Sequence, residues 1–493
     1  MRFFEISLIV LNIAVFCILA IRRTACWFDY AVPAALLIAV IGMAVEGFRW
    51  QMIPAYALTA IFVVLWLFSK GSQGGMQLST VVSFLGLGLG VVAIVISIGL
   101  PVMLPVFSFP KPTGPYGIGT LTYHWADMSR SELFTADPND PRELMVQMWY
   151  PTGQEPSMRR APYIRDADVV TPVIGRFLHL PEFVFSHLKY VTTNAVASAP
   201  VADDQPDYPV LLYLSGISGF RSANTFQIEE LVSHGYIVIG LDQPGIAPMV
   251  RFPDGRQIPG LSRDEILPLN MQSVEAQPQA PTLHGQPMPE GSIPYFARDV
   301  SFVLDQLAAL NKSDPHQLLT GRLDLERIGT FGISLGGMNA AQASLEDLRL
   351  KACLIMDVNI PAEVVEKGLT QPTMFITRSA DTMRFERDSN DTWAEKDVIL
   401  TVDTMRRVYE SLPGDGYYVE IEGIFHINFT DVPYWSPVLP HIGITGPINA
   451  QRGFDIINAY SLAFFDRELK GQHSPLLGGQ SEQYPEVKFE SLK

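Results

Sequence analysis

The run Arg327-Ile-Gly-Thr-Phe-Gly-Ile-Ser-Leu-Gly-Gly-Met338 constrains this chain more than any other stretch. Residues 328–331 are a short apolar run that predicts a buried strand, and the Ala-rich residues 338–344 predict a helix. Between them lies Gly332-Ile-Ser-Leu-Gly336, a G-x-S-x-G pentapeptide. A strand that turns straight into a helix at a serine forces that serine into a strained backbone. Glycines two before and two after it remove side chains that would collide. The arrangement is that of a nucleophile elbow, with Ser334 as the candidate nucleophile. A serine hydroxyl is a weak nucleophile unaided, so this reading requires a base, an acid to orient it and two backbone donors from elsewhere.

Strands alternate with helices on both sides of the elbow. Residues 209–214 form a continuous apolar run, as expected inside a parallel sheet. A helix is predicted over 225–234, closed by Gly235, and a second strand over 236–241. Beyond the elbow, strands are predicted at 352–356, 373–377 and 417–422, and a helix at 402–411. Upstream, residues 119–124 and 144–150 read as an antiparallel pair around the polar loop 136–141. Residues 177–190 have helical spacing, and His179 and His187 within them read as surface or packing residues, not ligands. Residues 242–293, rich in Pro, Gln and Met, are too long for a plain loop and predict a lid or wall over a pocket, followed by a helix at 297–310. The pattern predicts an α/β architecture, a mainly parallel sheet flanked by helices, which the α/β-hydrolase fold fits.

The N-terminal part is of another kind. Apolar residues make up 48% of the chain, and four apolar stretches fill its start: 6–21, 30–45, 50–69 and 71–110, the last most apolar over 81–100. Runs of about 17–25 such residues cross a bilayer. The expectation is an all-α transmembrane region, residues 1–110, with four helices anchoring the chain in a lipid bilayer. No small-x-small cleavage site precedes Arg22-Arg23, which argues against a signal peptide. No span holds an ionisable group in its interior, so no ion or proton path is expected. Gly86 and Gly90 form a GxxxG read as close packing. The flanking cations divide equally, Arg2, Arg49 and Lys111 against Arg22, Arg23 and Lys70, so charge does not assign the sides. The expected location is a cell membrane with the catalytic part outside the cytoplasm. Pro101, Pro105, Pro110, Pro112 and Pro115 predict a stiff linker into a catalytic domain over 111–473, with a polar tail at 474–493.

Net charge is −16, divided as +2 over residues 1–110 and −18 over the rest. So acidic a body argues against nucleic acid as a partner. Three cysteines, Cys17, Cys26 and Cys353, make no disulfide framework. The chemistry calls for no metal and no cofactor.

In the chain order nucleophile, acid, histidine, the base follows Ser334. His441 lies in a Pro/Gly-rich loop and His473 in the tail, whereas His426 follows the predicted strand 417–422 by four residues, where a catalytic histidine belongs. Two acids compete on equal terms: Asp357, directly after strand 352–356, and Asp381, after strand 373–377 with Arg378 and Arg384 close by. For the oxyanion hole, one N–H is expected from Leu335 and the other from Ile217, in the glycine-bearing loop after strand 209–214.

Several stretches, in this order, carry a resemblance: Gly114-Pro-Tyr-Gly-Ile-Gly119 and Trp149-Tyr-Pro151, then Tyr208 to Arg221 with Leu231 to Val238, then Asp324 to Gly337, and His426-Ile-Asn-Phe-Thr-Asp431. Over residues 114–470 the chain resembles the plasma and intracellular type II platelet-activating factor acetylhydrolases, serine-dependent lipases on an α/β-hydrolase fold. That resemblance implies Asp357 rather than Asp381 as the acid, and Ile217 and Leu335 as oxyanion donors. The chain departs from the family in having Ser215-Gly216 for His-Gly, Ile333 for the histidine before the nucleophile, and Asp242-Gln-Pro-Gly245 for an acid–His pair. The expected activity is that of a membrane-anchored serine esterase or lipase on short-chain or lipid esters such as 1-alkyl-2-acetylglycerophosphocholine. The alternatives are a hydrolase of non-lipid esters or polyesters, and a catalytically silent membrane scaffold or sensor. The sequence leaves the oligomeric state open.

Overall fold

Every residue of strand Tyr208–Leu214 is buried, because strands lie on both sides of it and helices cover both faces of the sheet. The computed structural model describes residues 1–21, 26–71, 80–135, 137, 139–153, 159–390 and 394–492. Among these, the chain forms two compact units. One holds Met1–Phe107 with Phe183–Val191 and Trp435–Val438; the other holds Ser108–Glu182, Thr192–Tyr434 and Leu439–Lys493.

The second unit is built on an 11-stranded sheet. From one edge its strands run Val487–Leu492, Gly416–Ile421, Thr373–Thr377, Leu350–Met356, Leu323–Ile333, Tyr208–Leu214, Ile237–Asp242, Pro141–Thr152, Gly117–Ser131, Thr192–Ala197 and Arg160–Pro162. The six from Gly416–Ile421 to Ile237–Asp242 are parallel. Strand Pro141–Thr152 joins antiparallel, and Gly117–Ser131 pairs with it from Gly117↔Thr152 through Asp127↔Arg142. This is the α/β-hydrolase architecture expected, with longer opening strands.

Three expectations need correction. Residues 474–493 are not a free polar tail: Val487–Leu492 pairs antiparallel with Gly416–Ile421 and extends the sheet, its Val487 and Phe489 packing among core aromatics. The helix expected over 177–190 is instead helix Ala167–Phe177, which ends where the other was to begin, and a short turn at Ser186–Tyr190. Pro101 does not begin the linker, since helix Thr80–Met103 carries it in its last turn. Residues 136 and 138 of the polar loop lie outside the described residues.

Residues 242–293 fold as a hairpin (Met249–Arg251 with Gln257–Pro259), a helix (Arg263–Gln272) and a second hairpin (Thr282–Leu283 with Gln286–Pro287). Val250, Phe252, Ile258, Ile266, Leu269 and Leu283 bury their side chains in the sheet's larger core, so the segment is a packed wall.

Under the start of this wall lies a buried charge network. Arg142 joins Glu132 (2.9 Å) and Asp299 (2.6 Å), all three side chains being almost wholly buried. It also donates to the Pro244 carbonyl (3.1 Å), and Gln243 Nε2 donates to Asp299 (2.8 Å). The network therefore fixes the chain just after strand Ile237–Asp242, where Ile246 accepts a hydrogen bond from the Ser218 amide (3.0 Å).

In the first unit, four helices are long and apolar enough to cross a membrane: Phe3–Ala20, Trp27–Val45, Trp50–Lys70 and Gly86–Met103. Arg49 meets Glu5 (3.2 Å) and the Leu104 carbonyl (2.7 Å), which places the start of the first helix, the start of the third and the end of the fourth at one end. Lys70 meets Asp29 (2.8 Å) at the other. A Cβ on Gly90 would stand 2.3 Å from the Phe16 ring, so this glycine of the GxxxG serves packing between helices of the same chain. Arg22 and Arg23 lie outside the described residues. His187 is a packing residue: its Nδ1 lies 3.0 Å from Gln51 Nε2, and burial, aided by Arg49, pushes it down to about 4.

Removing one partner of a buried ion pair strands the others. Arg142→Met, which leaves Glu132 uncompensated and Asp299 with Arg130 as its one remaining cation (2.7 Å), is expected to cost roughly 3–5 kcal/mol. The check is the urea midpoint of the full chain in detergent, and an unchanged midpoint would refute the role given to the network.

Candidate active site

The elbow forms as its spacing requires. Strand Leu323–Ile333 ends at Ser334, which caps helix Leu335–Glu346 with φ 56° and ψ −129°. Ser334 is partly exposed while residues 331–333 and 335–340 around it are buried. A Cβ on Gly336 would stand 2.0 Å from the Leu214 carbonyl oxygen, so only glycine lets the helix start so close to the neighbouring strand.

The parallel register brings the remaining groups to the same end of the sheet. The Ser334 amide donates to the Met356 carbonyl (3.0 Å), one residue before Asp357. Asp357 is fully buried with φ 50°. Its Oδ2 lies 2.6 Å from His426 Nδ1, on the turn His426–Phe429 beyond strand Gly416–Ile421. Its Oδ1 accepts from Thr377 Oγ1 (2.9 Å), and Arg378 Nε lies 2.9 Å from Oδ2 and 3.1 Å from Oδ1. Burial alone would raise this carboxyl. The Arg378 charge and the His426 hydrogen bond outweigh burial and hold it well below the usual carboxylate range. An ionised carboxylate only accepts, so Nδ1 carries the ring proton in this pair.

Asp381 is elsewhere. It sits in the first turn of helix Ala380–Asn390 with its side chain 95% exposed, against Arg384 at 3.2 Å. Arg378, which the sequence placed beside Asp381, turns instead to Asp357. His441 and His473 are exposed, and His473 lies 3.1 Å from Arg467.

The expected oxyanion donors flank Ser334. Leu335 opens the elbow helix, where first-turn N–H groups have no intrahelical acceptor. Ile217 lies in the loop after strand Tyr208–Leu214, next to Gly216, where a Cβ would stand 3.1 Å from Ser334 Cβ and 3.2 Å from the Ile333 oxygen. The loop is pinned at both ends. The Ser218 amide bonds Ile246 (3.0 Å) with Ser218 at φ 55°, and Arg221 gives its amide to Asp242 (2.6 Å) and its guanidinium to the same carboxylate. Ser218, Ser334 and Asp357 thus all hold positive φ, strain of the sort that gathers at functional sites.

Two site groups escaped the sequence reading. Glu386, on helix Ala380–Asn390, accepts the His426 backbone amide (3.0 Å) and pairs with the Arg378 guanidinium. Arg378 was legible in principle: Met356 pairs with Ile376, which sets Thr377-Arg378 beside Asp357. Glu386 was not, because its meeting with His426 depends on a helix placement that no spacing reveals.

Comparison with known proteins gives the family of the chain. The family model for platelet-activating factor acetylhydrolase, isoform II, matches residues 103–244 and 303–480. The chain belongs to this family. A probable 1-alkyl-2-acetylglycerophosphocholine esterase of Arthroderma benhamiae is 25% identical over 415 residues, covering 78% of this chain and 94% of that protein. The platelet-activating factor acetylhydrolase of Cavia porcellus is 22% identical over 381 residues, covering 73% and 78%. Among solved structures, a ferulic acid esterase from Streptomyces cinnamoneus superposes with TM-score 0.58 at 27% identity, covering 78% of this chain and 99% of that one. The chain is a carboxylic ester hydrolase. The family match leaves out residues 1–102 and, between its two parts, 245–302, which include most of the packed wall.

A methyl at Gly216 would press the loop away from Ser334. Gly216→Ala is expected to lower kcat on p-nitrophenyl butyrate by roughly tenfold or more, approaching the 10²–10³ cost of losing an oxyanion donor, with KM little changed; an unaltered kcat would remove the loop from the site. For pH, the folded-state value of Asp357 is depressed, so its stabilising contribution is complete above the range where an unfolded aspartate ionises and is lost as pH falls through the folded value. Because Asp357 stays ionised through the acid limb, that limb reports another group: in Asp357→Asn it is expected to remain, at a reduced rate and moved to lower pH by loss of the carboxylate beside His426, measured as a kcat/KM profile.

Proposed function

We propose that the protein is a membrane-anchored serine esterase in which Ser334 attacks an ester carbonyl, His426 takes and returns the proton, and Asp357 orients the histidine. The observation that carries this reading is the 2.6 Å contact between His426 Nδ1 and buried Asp357, beside a serine held at φ 56° on an elbow. With Nδ1 engaged, Nε2 is the atom that exchanges the Ser334 proton. The amides of Ile217 and Leu335 hold the oxyanion, an acyl-enzyme forms as the alcohol leaves, and water releases the acid.

The substrate in this reading is a short-chain or lipid ester of the 1-alkyl-2-acetylglycerophosphocholine kind, supported by the family match and the relative that covers 78% of the chain. The anchor is the four apolar helices, which would keep the enzyme where apolar esters collect. The second reading is a non-lipid ester, favoured by the similarity to a ferulic acid esterase that aligns over nearly its whole length.

Ser334→Ala and His426→Ala are each expected to abolish p-nitrophenyl butyrate hydrolysis, and Ser334→Ala to abolish fluorophosphonate labelling; turnover near wild type in either would end the assignment. Asp357→Asn is expected to lose about 10⁴-fold in kcat, and Asp381→Asn to stay within about twofold, as for surface positions. Turnover of 1-alkyl-2-acetylglycerophosphocholine against methyl ferulate decides between the two substrates, and retention in the pellet after alkaline carbonate extraction tests the anchor.

A further inference from the structure

Asp357 and His426 do not stand alone but close a chain of four buried or partly buried charges. His426 Nδ1 meets Asp357, Asp357 meets Arg378 at 2.9 Å, Arg378 meets Glu386, and Glu386 returns to His426 by accepting its backbone amide at 3.0 Å. Side-chain exposure is 0% for Asp357, 1% for Arg378 and 5% for Glu386, so water screens these charges little. A lone Arg378 beside Asp357 would cancel the negative charge that favours a protonated histidine. Glu386 restores it, leaving two carboxylates and one guanidinium in the group around His426.

Three other charged groups near the histidine turn have partners of their own. On helix Ala450–Lys470, Arg452 pairs with Glu486 (2.8 Å) and Asp455 accepts from Gln451 (2.8 Å). Asp431 accepts the amides of Thr225 (2.7 Å) and Phe226 (3.0 Å).

We propose that Arg378 and Glu386 are opposed positioning residues of the hydrolytic site: Arg378 fixes the Asp357 carboxylate, and Glu386 fixes the His426 backbone while offsetting the Arg378 charge at the imidazole. The proposal rests on the reading of Ser334, His426 and Asp357 given above. It goes beyond that reading in assigning the sign of two further charges.

The sign follows from electrostatics. The acid limb of kcat/KM reports the base becoming protonated in the free enzyme. Removing a negative charge near the imidazole disfavours its protonated form, so the limb moves to lower pH; removing a positive charge moves it to higher pH. Glu386→Gln keeps an acceptor for the His426 amide and loses the charge. In the full chain in detergent, with p-nitrophenyl butyrate, it is expected to move the limb down by about one pH unit, and Arg378→Gln to move it up by a similar amount, each shift being a tenfold change in the protonation equilibrium. The double variant is expected to return close to wild type, at a lower kcat.

Limbs that stay in place, or that move the same way in both single variants, overturn the proposal. So does failure of both single variants to fold, judged by circular dichroism and gel filtration, because the pair would then be scaffold only. One folded variant suffices for a decision, since each carries its own sign. Ser334→Ala and His426→Ala run alongside: activity in either sinks the underlying triad reading, whereas two inert controls with unmoved limbs sink the positioning proposal alone.

Discussion

The close approach of the elbow helix to strand Tyr208–Leu214 is the constraint on which the site depends. A Cβ on Gly336 would lie 2.0 Å from the Leu214 oxygen, and that approach is what turns Ser334 to φ 56° and out of the core. The same strand continues into the loop bearing Gly216 and Ile217. The strand thus carries both the close approach to the elbow helix and the loop that lies against Ser334. Strain here is tolerable because it is over-determined: the Ser334 amide is held by Met356 and the loop by Ile246 and Asp242.

Parallel strands explain why so many polar groups can meet in one place. The C-terminal ends of adjacent parallel strands open at one edge of the sheet, so residues distant in sequence become neighbours without a long loop. Ser334, Asp357 and Arg378 directly follow the ends of three adjacent strands, and His426 follows a fourth by a few residues. Burial at this edge would be costly for Asp357 alone. The guanidinium of Arg378 and the ring of His426 make it acceptable, and Glu386 gives the same guanidinium a second carboxylate.

How much of this was legible in the sequence follows from the same geometry. The central strands were readable because they are short, apolar and bounded by turns; 373–377 coincides with strand Thr373–Thr377. Between Asp357 and Asp381 the residues alone gave no preference, since each follows a strand. What separates them is whether the carboxylate lies at the strand end or one helical turn on, where it faces water, as Asp381 does. The helix expected over 177–190 failed for a related reason: its apolar residues are shared between the end of one helix and a later turn, and spacing cannot distinguish one helix from two fragments. The last strand was missed because Val487 to Leu492 alternates with Lys488 and Glu490, as an edge strand with one wet face does.

The family match divides the residues around the site into two groups. Gly216, Ser334, Asp357 and Arg378 lie just beyond the ends of central strands, Glu386 lies on helix Ala380–Asn390, and all five fall within the family match. The wall over 242–293 falls largely in the gap of that match, yet its helix end is tied to the loop after Asp357, with the Ala362 amide on the Ser273 carbonyl at 2.9 Å and Asn359 Nδ2 3.8 Å from Met271 Sδ. A segment outside the family match therefore touches the loop that follows Asp357, beside the elbow. Ile333, directly before Ser334, and Ser215, at the start of the loop after Leu214, are both buried. The surroundings of Ser334 are therefore built from two layers, an edge of parallel strands that lies within the family match and a packed wall, largely outside it, laid against that edge.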